Sequence, residues 1–303
     1  MRMLGNGNNP HLAVNTQVSK RFGASGPFLF LALLFVVAVF LSWYFTWFGR
    51  GLSDADISTY LTDERHPRRV QHALLQVQQQ IERGDPGAKR WYSQILSLAG
   101  SSETEFRLTV AWLMGFDNQS EEFHQALLKL LADSEPVVRR NAALALVRFR
   151  DASGRSELHS ILGLYSVRAK TPGIVASTLR AGSDVSRGAL LARLQQAEST
   201  TEIRSPLPGR ITDVLVNPSA SLAAGDTIVT IQSDEASIWE ALRGLSLVGQ
   251  NEDLPMVEQF TQGVGFSERI TKQATLTAES IRGRQSNSQG PGGSGGASGS
   301  EMP

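Results

Sequence analysis

An apolar run near the start of the chain constrains its fold more than any other feature. The segment FLFLALLFVVAVFLSWYFTWF, from Phe28 to Phe48, contains no charged residue. Because a helix of about 20 apolar residues crosses the hydrocarbon core of a bilayer, this run predicts a transmembrane helix. Trp43, Tyr44 and Trp47 lie near its C-terminal end, which is typical of an aromatic belt. A cleaved signal peptide is the alternative, but the run is longer than the ~7–15 apolar residues of that class, and no A-x-A-like site follows it.

The charges that flank this run set the expected orientation. Lys20 and Arg21 precede it closely. Arg50 follows it but is offset by Asp54 and Asp56. Since positive charge is retained on the cytoplasmic side, we expect a cytoplasmic N-terminus and an extracytoplasmic body. The sequence therefore predicts an integral, single-pass protein of the cell inner membrane whose bulk is periplasmic, with a cytosolic body as the alternative orientation.

Composition excludes several classes of function. The chain has 29 Lys and Arg residues and 29 Asp and Glu residues, so no excess of positive charge favours a nucleic-acid partner. It has no cysteine, which excludes disulfides, thiolate catalysis and Cys-type zinc sites. The five histidines show no metal-ligand spacing, so no metal site is predicted. No catalytic motif is evident, and we expect a protein that is not an enzyme.

Helical periodicity begins soon after the apolar run. A stripe of apolar residues at helical spacing predicts one buried helix face and ends at a Gly-Asp-Pro-Gly stop. The stripe consists of Val70, Ala73, Leu74, Val77 and Ile81, and the stop is Gly84 to Gly87.

Similar segments recur along the chain. Aligning Arg69, Arg107 and Arg139 gives spacings of 38 and 32 residues, which are typical of repeated helical pairs. The segment DSEPVVRRNAALALVRF, from Asp133 to Phe149, resembles a short HEAT repeat. That resemblance implies a scaffold that binds other proteins on an extended face, without catalysis. A generic helical bundle is the alternative.

Arg139 and Arg140 of this segment are candidate interaction residues. They mark a binding face if they point outwards. The alternative is a solvated arginine between repeats that hydrogen-bonds a neighbouring turn.

An internal duplication follows the helices. The segment from Val167 to Leu194 can be superposed on that from Ile203 to Ile231, with Pro172-Gly173 matching Pro208-Gly209. Alternating apolar positions broken by Gly and Pro predict two intertwined β-ribbons that form a small sandwich.

The duplicated halves resemble the biotinyl/lipoyl-carrier domain, which is also the barrel-sandwich hybrid of membrane-fusion (periplasmic adaptor) proteins. The matching residues are Gly182-Ser183-Asp184-Val185, Gly188, Leu191, Glu202-Ile203, Ser205-Pro206, Gly209 and Gly225-Asp226. The resemblance implies a modified lysine in the hairpin between the halves, where this chain has Glu198. No lysine lies between Lys170 and Lys272, so the resemblance predicts a domain without cofactor.

Two departures accompany this resemblance. Ser219 replaces the glycine expected in the second half, so the geometry of that turn is open. Adaptors usually separate the halves with a long helical hairpin, whereas here a short turn runs from Gln195 to Thr200. We take Glu198 and Thr200 in that turn as further candidate interaction residues.

Helical periodicity returns after the duplication, so the β-module is predicted to be an insertion. The expected fold is multidomain: a disordered tail over 1–27, a transmembrane helix over 28–48, HEAT-like helices over 54–165, an all-β lipoyl-like domain over 167–232, further HEAT-like helices over 237–282 and a disordered Gly/Ser-rich tail over 285–303.

The predicted function is that of a non-enzymatic, membrane-anchored scaffold or adaptor for protein–protein assembly, of the kind found in membrane-fusion-type transport or secretion systems. A membrane-tethered cytosolic assembly factor and a degenerate biotinyl/lipoyl carrier component are the alternatives.

Overall fold

The computed structural model describes residues 26–47, 51–196, 199–263 and 265–288. The chain divides into two units, Met1–Gly51 and Leu52–Pro303. Most of the two predicted disordered tails, 1–27 and 285–303, lies outside the described residues.

The first unit contributes helix α1 (Gly26–Trp47). Among the residues that the structure describes, no helix is both long enough and apolar enough to cross a membrane. The predicted transmembrane helix over 28–48 is therefore wrong. The predicted integral, single-pass membrane association and the predicted inner-membrane localisation are wrong for the same reason.

The second unit is a mixed helix-and-sheet structure, in which strands interrupt a series of helices. Its helices are α2 (Asp54–Thr62), α3 (Pro67–Glu82), α4 (Tyr92–Leu98), α5 (Thr104–Met114), α6 (Glu121–Leu130), α7 (Pro136–Arg148), α8 (Arg155–Leu162), α9 (Glu235–Val248), α10 (Leu254–Glu258) and α11 (Glu268–Ser288), with short 3-10 helices at Pro86–Trp91 and Asn251–Asp253.

Local sequence explains where several of these helices begin and end. The Ser53 side chain accepts from the backbone N–H of Asp56, whose carboxylate accepts from the backbone of Ser53, so α2 begins at a capping box. Pro67 and Pro136 occupy the first turns of α3 and α7, where a backbone donor is not needed. α3 stops before Gly84, which adopts a φ of +70°.

Two apolar cores hold the helices together. The first joins α2 to α7 and includes the buried stripe of α3 together with Phe106, Phe123 and Leu146. The second joins α7 and α8 to α9, α10 and α11, through residues such as Leu158, Leu242 and Ile270. Helices on both sides of the strands therefore share one core, and the β-module leaves and returns to a single helical body.

The strands form two four-stranded antiparallel sheets. They are β1 (Leu164–Arg168), β2 (Gly173–Thr178), β3 (Asp184–Val185), β4 (Leu190–Gln195), β5 (Thr200–Arg204), β6 (Gly209–Val214), β7 (Ser221–Leu222) and β8 (Thr227–Ser233). One sheet has the order β1-β8-β6-β3 and the other β5-β4-β2-β7. β1, β2, β3 and β4 correspond to β5, β6, β7 and β8, and each strand lies in the opposite sheet from its counterpart, so that the order β1-β8-β6-β3 becomes β5-β4-β2-β7. The module therefore has a pseudo-two-fold repeat.

The repeat has one irregularity, at the loop between β6 and β7. β1 and β5, like β2 and β6, begin 36 residues apart, whereas β3 and β7, like β4 and β8, begin 37 apart. The extra residue lies before Ser219, which adopts a φ of +66°, while its counterpart Gly182 adopts +84°. The second half therefore keeps the left-handed turn with a serine in the place of glycine.

Replacing Ser219 with Gly should raise the free energy of unfolding by about 0.5–1 kcal/mol. A non-glycine residue in the left-handed region costs about 1–2 kcal/mol, and glycine avoids this cost. Part of the gain is offset, because glycine has more conformational freedom in the unfolded chain and loses more of it on folding. The mirror substitution Gly182→Ser should lower the free energy of unfolding by about 1 kcal/mol. Urea unfolding measures both variants. A less stable Ser219→Gly protein would contradict this account of the turn.

Candidate functional site

The β4–β5 hairpin contains the position predicted to correspond to the carrier lysine. Gln195 pairs with Thr200, and the backbone N–H of Gln196 donates to the carbonyl of Ser199 at 2.8 Å. Thr200 is exposed at the start of β5. Glu198 lies outside the described residues. The hairpin therefore keeps antiparallel pairing up to the residues that flank its tip.

The base of this tip is tied to a neighbouring turn of the same module. The Gln196 side-chain amide donates to Thr171 Oγ1 at 2.9 Å and to the carbonyl of Pro172 at 3.0 Å. These bonds fix the end of the hairpin against the loop between β1 and β2.

The β-module joins the helices without linkers. α8 ends at Leu162 and β1 begins at Leu164, so only Gly163 separates them. On the return, β8 ends at Ser233 and α9 begins at Glu235. The intervening Asp234 caps α9 by accepting from the backbone N–H of Ser237 at 2.7 Å. Both connections are therefore parts of ordered elements.

Arg140 lies where the module meets the helical body, and it is only 6% exposed. Its Nη1 donates to Ser233 Oγ at 3.2 Å, and its Nη2 donates to the carbonyl of Ser160 at 3.1 Å. Its guanidinium carbon lies 5.9 Å from the centre of the Tyr165 ring. One side chain of α7 thus contacts α8, β1 and β8.

Arg140 is buried without a full set of partners. Among the residues that the structure describes, its Nε has no hydrogen-bond partner, and neither has the buried Nε2 of Gln232, the residue before Ser233. Burial lowers the pKa of Arg140 to about 10, while the charges of Glu157, Tyr165 and Asp234 oppose this change. The guanidinium therefore stays positively charged at neutral pH inside the junction.

Arg139, the second arginine predicted at this position, binds the turn that precedes its own helix. Its Nη1 donates to the carbonyls of Asp133 and Ser134 at 2.7 and 3.2 Å, and its Nε donates to Glu157 of α8 at 2.8 Å. The side chain is 24% exposed and the Glu157 side chain 16%. Arg139 thus connects one helical pair with the next.

Arg107 repeats this arrangement one unit earlier. Its Nη1 donates to the carbonyls of Ser101 and Ser102, which precede it by the same number of residues as the acceptors of Arg139. Its Nε and Nη2 donate to the Asp133 carboxylate at 2.7 and 3.1 Å. Arg69 contacts the Asp63 carboxylate at 3.4 Å, and its guanidinium carbon lies 5.5 Å from the centre of the Tyr60 ring. Arg107 and Arg139 thus form a ladder between successive helical pairs, whereas, among the described residues, Arg69 binds only within its own pair.

A second buried charge, which the sequence did not indicate, lies at Asp253. Its carboxylate is fully buried and accepts from Arg155 Nε at 3.0 Å and Nη2 at 2.8 Å. It also contacts His159 Nε2 at 2.5 Å and accepts from the backbone N–H of Gln250 at 2.7 Å. This cluster joins α8 to the 3-10 helix before α10. The only sequence signal is an acidic residue just before Leu254-Pro255, which resembles an ordinary helix start.

The His159–Asp253 contact has a parallel at His124, whose Nε2 lies 2.6 Å from Asp151. In both cases the carboxylate also accepts from a nearby backbone N–H, as expected for a helix or turn cap. Within residues 26–288, apart from the undescribed positions, no group of three or more His, Asp and Glu side chains is placed to hold a metal ion.

Comparison with known proteins gives no functional assignment. No protein-family model matches this chain, and no curated protein matches it. Among solved structures, a single-chain, multi-domain long-chain acyl-CoA carboxylase is similar over 34% of this chain and 10% of its own, with 21% identity and a TM-score of 0.23. This chain thus spans a small part of that protein, and similarity at this level supports no argument about function.

Asp253→Asn should lower the free energy of unfolding at pH 7 by about 3 kcal/mol, because it removes one partner of a buried ion pair. Burial raises the pKa of Asp253. The opposite effect is larger, because hydrogen bonds from Arg155 and Gln250 and the charges of Arg155 and His159 bring the pKa below its ordinary value. Because the pKa of Asp253 is lower in the folded state than in the unfolded state, its ionised carboxylate stabilises the folded protein. This stabilisation is complete above the unfolded pKa of ~3.9 and is lost as the pH falls through the folded pKa.

Urea unfolding at pH 7 and at successively lower pH measures this effect. The difference in the free energy of unfolding between the wild-type and Asp253→Asn proteins should become smaller as the pH falls below about 4. Asp184→Asn, at an exposed position of β3, is the matched control and should change stability little. A difference that is independent of pH would show that the carboxylate charge does not contribute.

Proposed function

We propose that this chain is a non-enzymatic scaffold for protein–protein assembly, in which HEAT-like helices hold a rigidly mounted, cofactor-free lipoyl-like β-module. The observation that supports this proposal most strongly is the attachment of the module. A carrier that delivers a group between sites needs a flexible linker, because its reach depends on the linker. Here Gly163 and Asp234 are the only residues between helix and strand.

Side-chain contacts support the same interpretation. Arg140 joins α7 to both the entry and exit strands of the module. Arg187, in the turn between β3 and β4, forms an ion pair with Glu105 at the start of α5. The module is therefore held at two separated places on the helical body, which would prevent it from swinging.

The helical body supplies the second element of the proposal. The ladder of Arg107 and Arg139 repeats the same bonds between successive helical pairs. Repeats joined in this way form an extended surface with few internal degrees of freedom, which suits a platform for other proteins. A degenerate carrier component is the competing function, and an intact mass with a lipoyl or biotinyl increment on the protein from its native cells would favour it.

Rigid mounting can be tested by time-resolved fluorescence anisotropy. The chain has no cysteine, so Thr200→Cys places one dye beside the hairpin tip, and Glu122→Cys places the same dye on the exposed first turn of α6. If the module is fixed, both dyes should report the same slow rotation of the whole body. A fast segmental component at position 200 alone would contradict the scaffold and favour a mobile carrier.

A linker variant provides the positive control for this measurement. Flexible Gly/Ser segments inserted at Gly163 and after Asp234 should introduce the fast component at position 200, because such linkers behave as random coils. Rotation at position 122 should stay slow in the same variant.

A further inference from the structure

A groove on the helical body presents an arginine that is held against two aromatic rings and that has no anionic partner within the part of the chain that the structure describes. The groove lies between α5, α7 and α9 and has a volume of about 130 Å³. Its lining includes Trp112, Leu144, Arg148, Glu240, Arg243 and Leu247, and we call it the Arg148 groove. None of these residues belongs to the β-module, the arginine ladder or the Asp253 cluster.

Two aromatic rings fix the position of Arg148. Its guanidinium carbon lies 5.0 Å from the centre of the Trp112 ring and 4.3 Å from that of Phe116. The two rings contact each other edge to face, with centroids 5.4 Å apart. Among the residues that the structure describes, no carboxylate lies within the 4.0 Å of an ion pair with Arg148. The donor fork is therefore oriented in advance and available to a carboxylate.

Two further arginines, one on α9 and one at the start of α11, lie in or beside this groove, against one tryptophan ring. Arg243 and Arg269 lie over the Trp239 ring, at 4.6 and 4.1 Å from its centre. Within the groove, the opposing charge is Glu240, whose nearest contact with Arg243 is 3.8 Å. Glu82 is the other carboxylate that acts on Arg148, through its charge and not through an ion pair. The lining of the groove thus contains two arginines and one carboxylate, which gives it a net positive charge.

Apolar surface lies beside this charge. Trp112 is 41% exposed and Leu247 is 43% exposed, whereas the other large apolar residues of α5 and α9 are buried or partly buried. Exposed tryptophan next to arginine is the composition enriched in the energetic centres of protein interfaces. The small volume and the mixture of charged and apolar lining residues suit a carboxylate side chain with an aliphatic or aromatic neighbour better than a phosphodiester backbone.

We propose that the Arg148 groove binds an acidic segment of a partner protein, in which an Asp or Glu side chain pairs with Arg148 and a neighbouring apolar side chain packs on Trp112 and Leu247. This inference rests on the proposed assembly function and names the chemistry of the partner. The pairing would be bidentate, and Glu240 would oppose it by like-charge repulsion.

A random-sequence peptide array probed with the full chain tests this proposal. Bound peptides should be enriched in Asp or Glu next to a large apolar residue. Arg148→Met, which keeps most of the side-chain stem, should remove that enrichment, whereas Arg180→Met at an exposed position of the β-module should not. Enrichment that is absent, or that persists in Arg148→Met, would overturn the proposal.

Fluorescence polarisation with a labelled peptide of alternating Glu and Leu residues measures how much Arg148 contributes to the affinity for an acidic segment. Arg148→Met should weaken its binding about tenfold, the equivalent of ~1.4 kcal/mol. Glu240→Gln should strengthen it, and a gain of affinity cannot arise from misfolding. Binding equal to that of the Gln–Leu counterpart would contradict the proposal.

A sedimentation measurement separates a partner protein from a second copy of this chain. If sedimentation shows that wild-type protein self-associates and that Arg148→Met is monomeric, the groove is an interface between copies of this chain and the partner proposal fails. Failure in any of these tests would not affect the proposed rigid mounting of the β-module. That proposal is tested separately by fluorescence anisotropy, in which no residue of the groove takes part.

Discussion

The buried guanidinium of Arg140 determines how the two parts of the second unit are joined. It lies at a contact between helix and sheet, retains its charge with a pKa of about 10, and has no carboxylate within ion-pair distance among the described residues. A buried charge is costly unless hydrogen bonds compensate it. Here the compensation comes from Ser160, Ser233 and the ring of Tyr165, which belong to three different elements. Any other orientation of the β-module would remove part of it.

Charges also hold the helical pairs together, but there they are matched. Arg107 and Arg139 each bind a carboxylate of the next unit and two carbonyls of the preceding turn, and Arg155 binds the buried Asp253. Arg148 differs from all of these, because its partners are rings and, among the described residues, no carboxylate forms an ion pair with it. The same residue type therefore has a structural role in one place and a free binding capacity in another, and only the contacts distinguish them.

Periodicity and turn chemistry predict much of this fold. The apolar stripe from Val70 to Ile81 lies within α3, and the paired Pro-Gly motifs each end at the first residue of a strand, Gly173 or Gly209. Three features could not be predicted in this way. Adjacent arginines at 139 and 140 look alike in sequence, although helix geometry points one towards a turn and the other into a core. Asp253 acquires its partners from a distant part of the chain. Hydropathy over 28–48 predicted a membrane-spanning helix that the described residues do not provide.

If Arg140 fixes the β-module on the helical body, the distance between the module and the helices should depend on this side chain. Spin labels on Thr200→Cys and Glu122→Cys in one molecule report the distance between module and helices by double electron–electron resonance. We expect one narrow distribution in the otherwise wild-type protein. When Arg140→Met is added we expect a measurably broader one, because a buried apolar side chain lacks directional bonds, although the short connections and the Arg187–Glu105 ion pair remain. A distribution that is broad in the wild-type background, or that stays narrow in Arg140→Met, would contradict this role of Arg140.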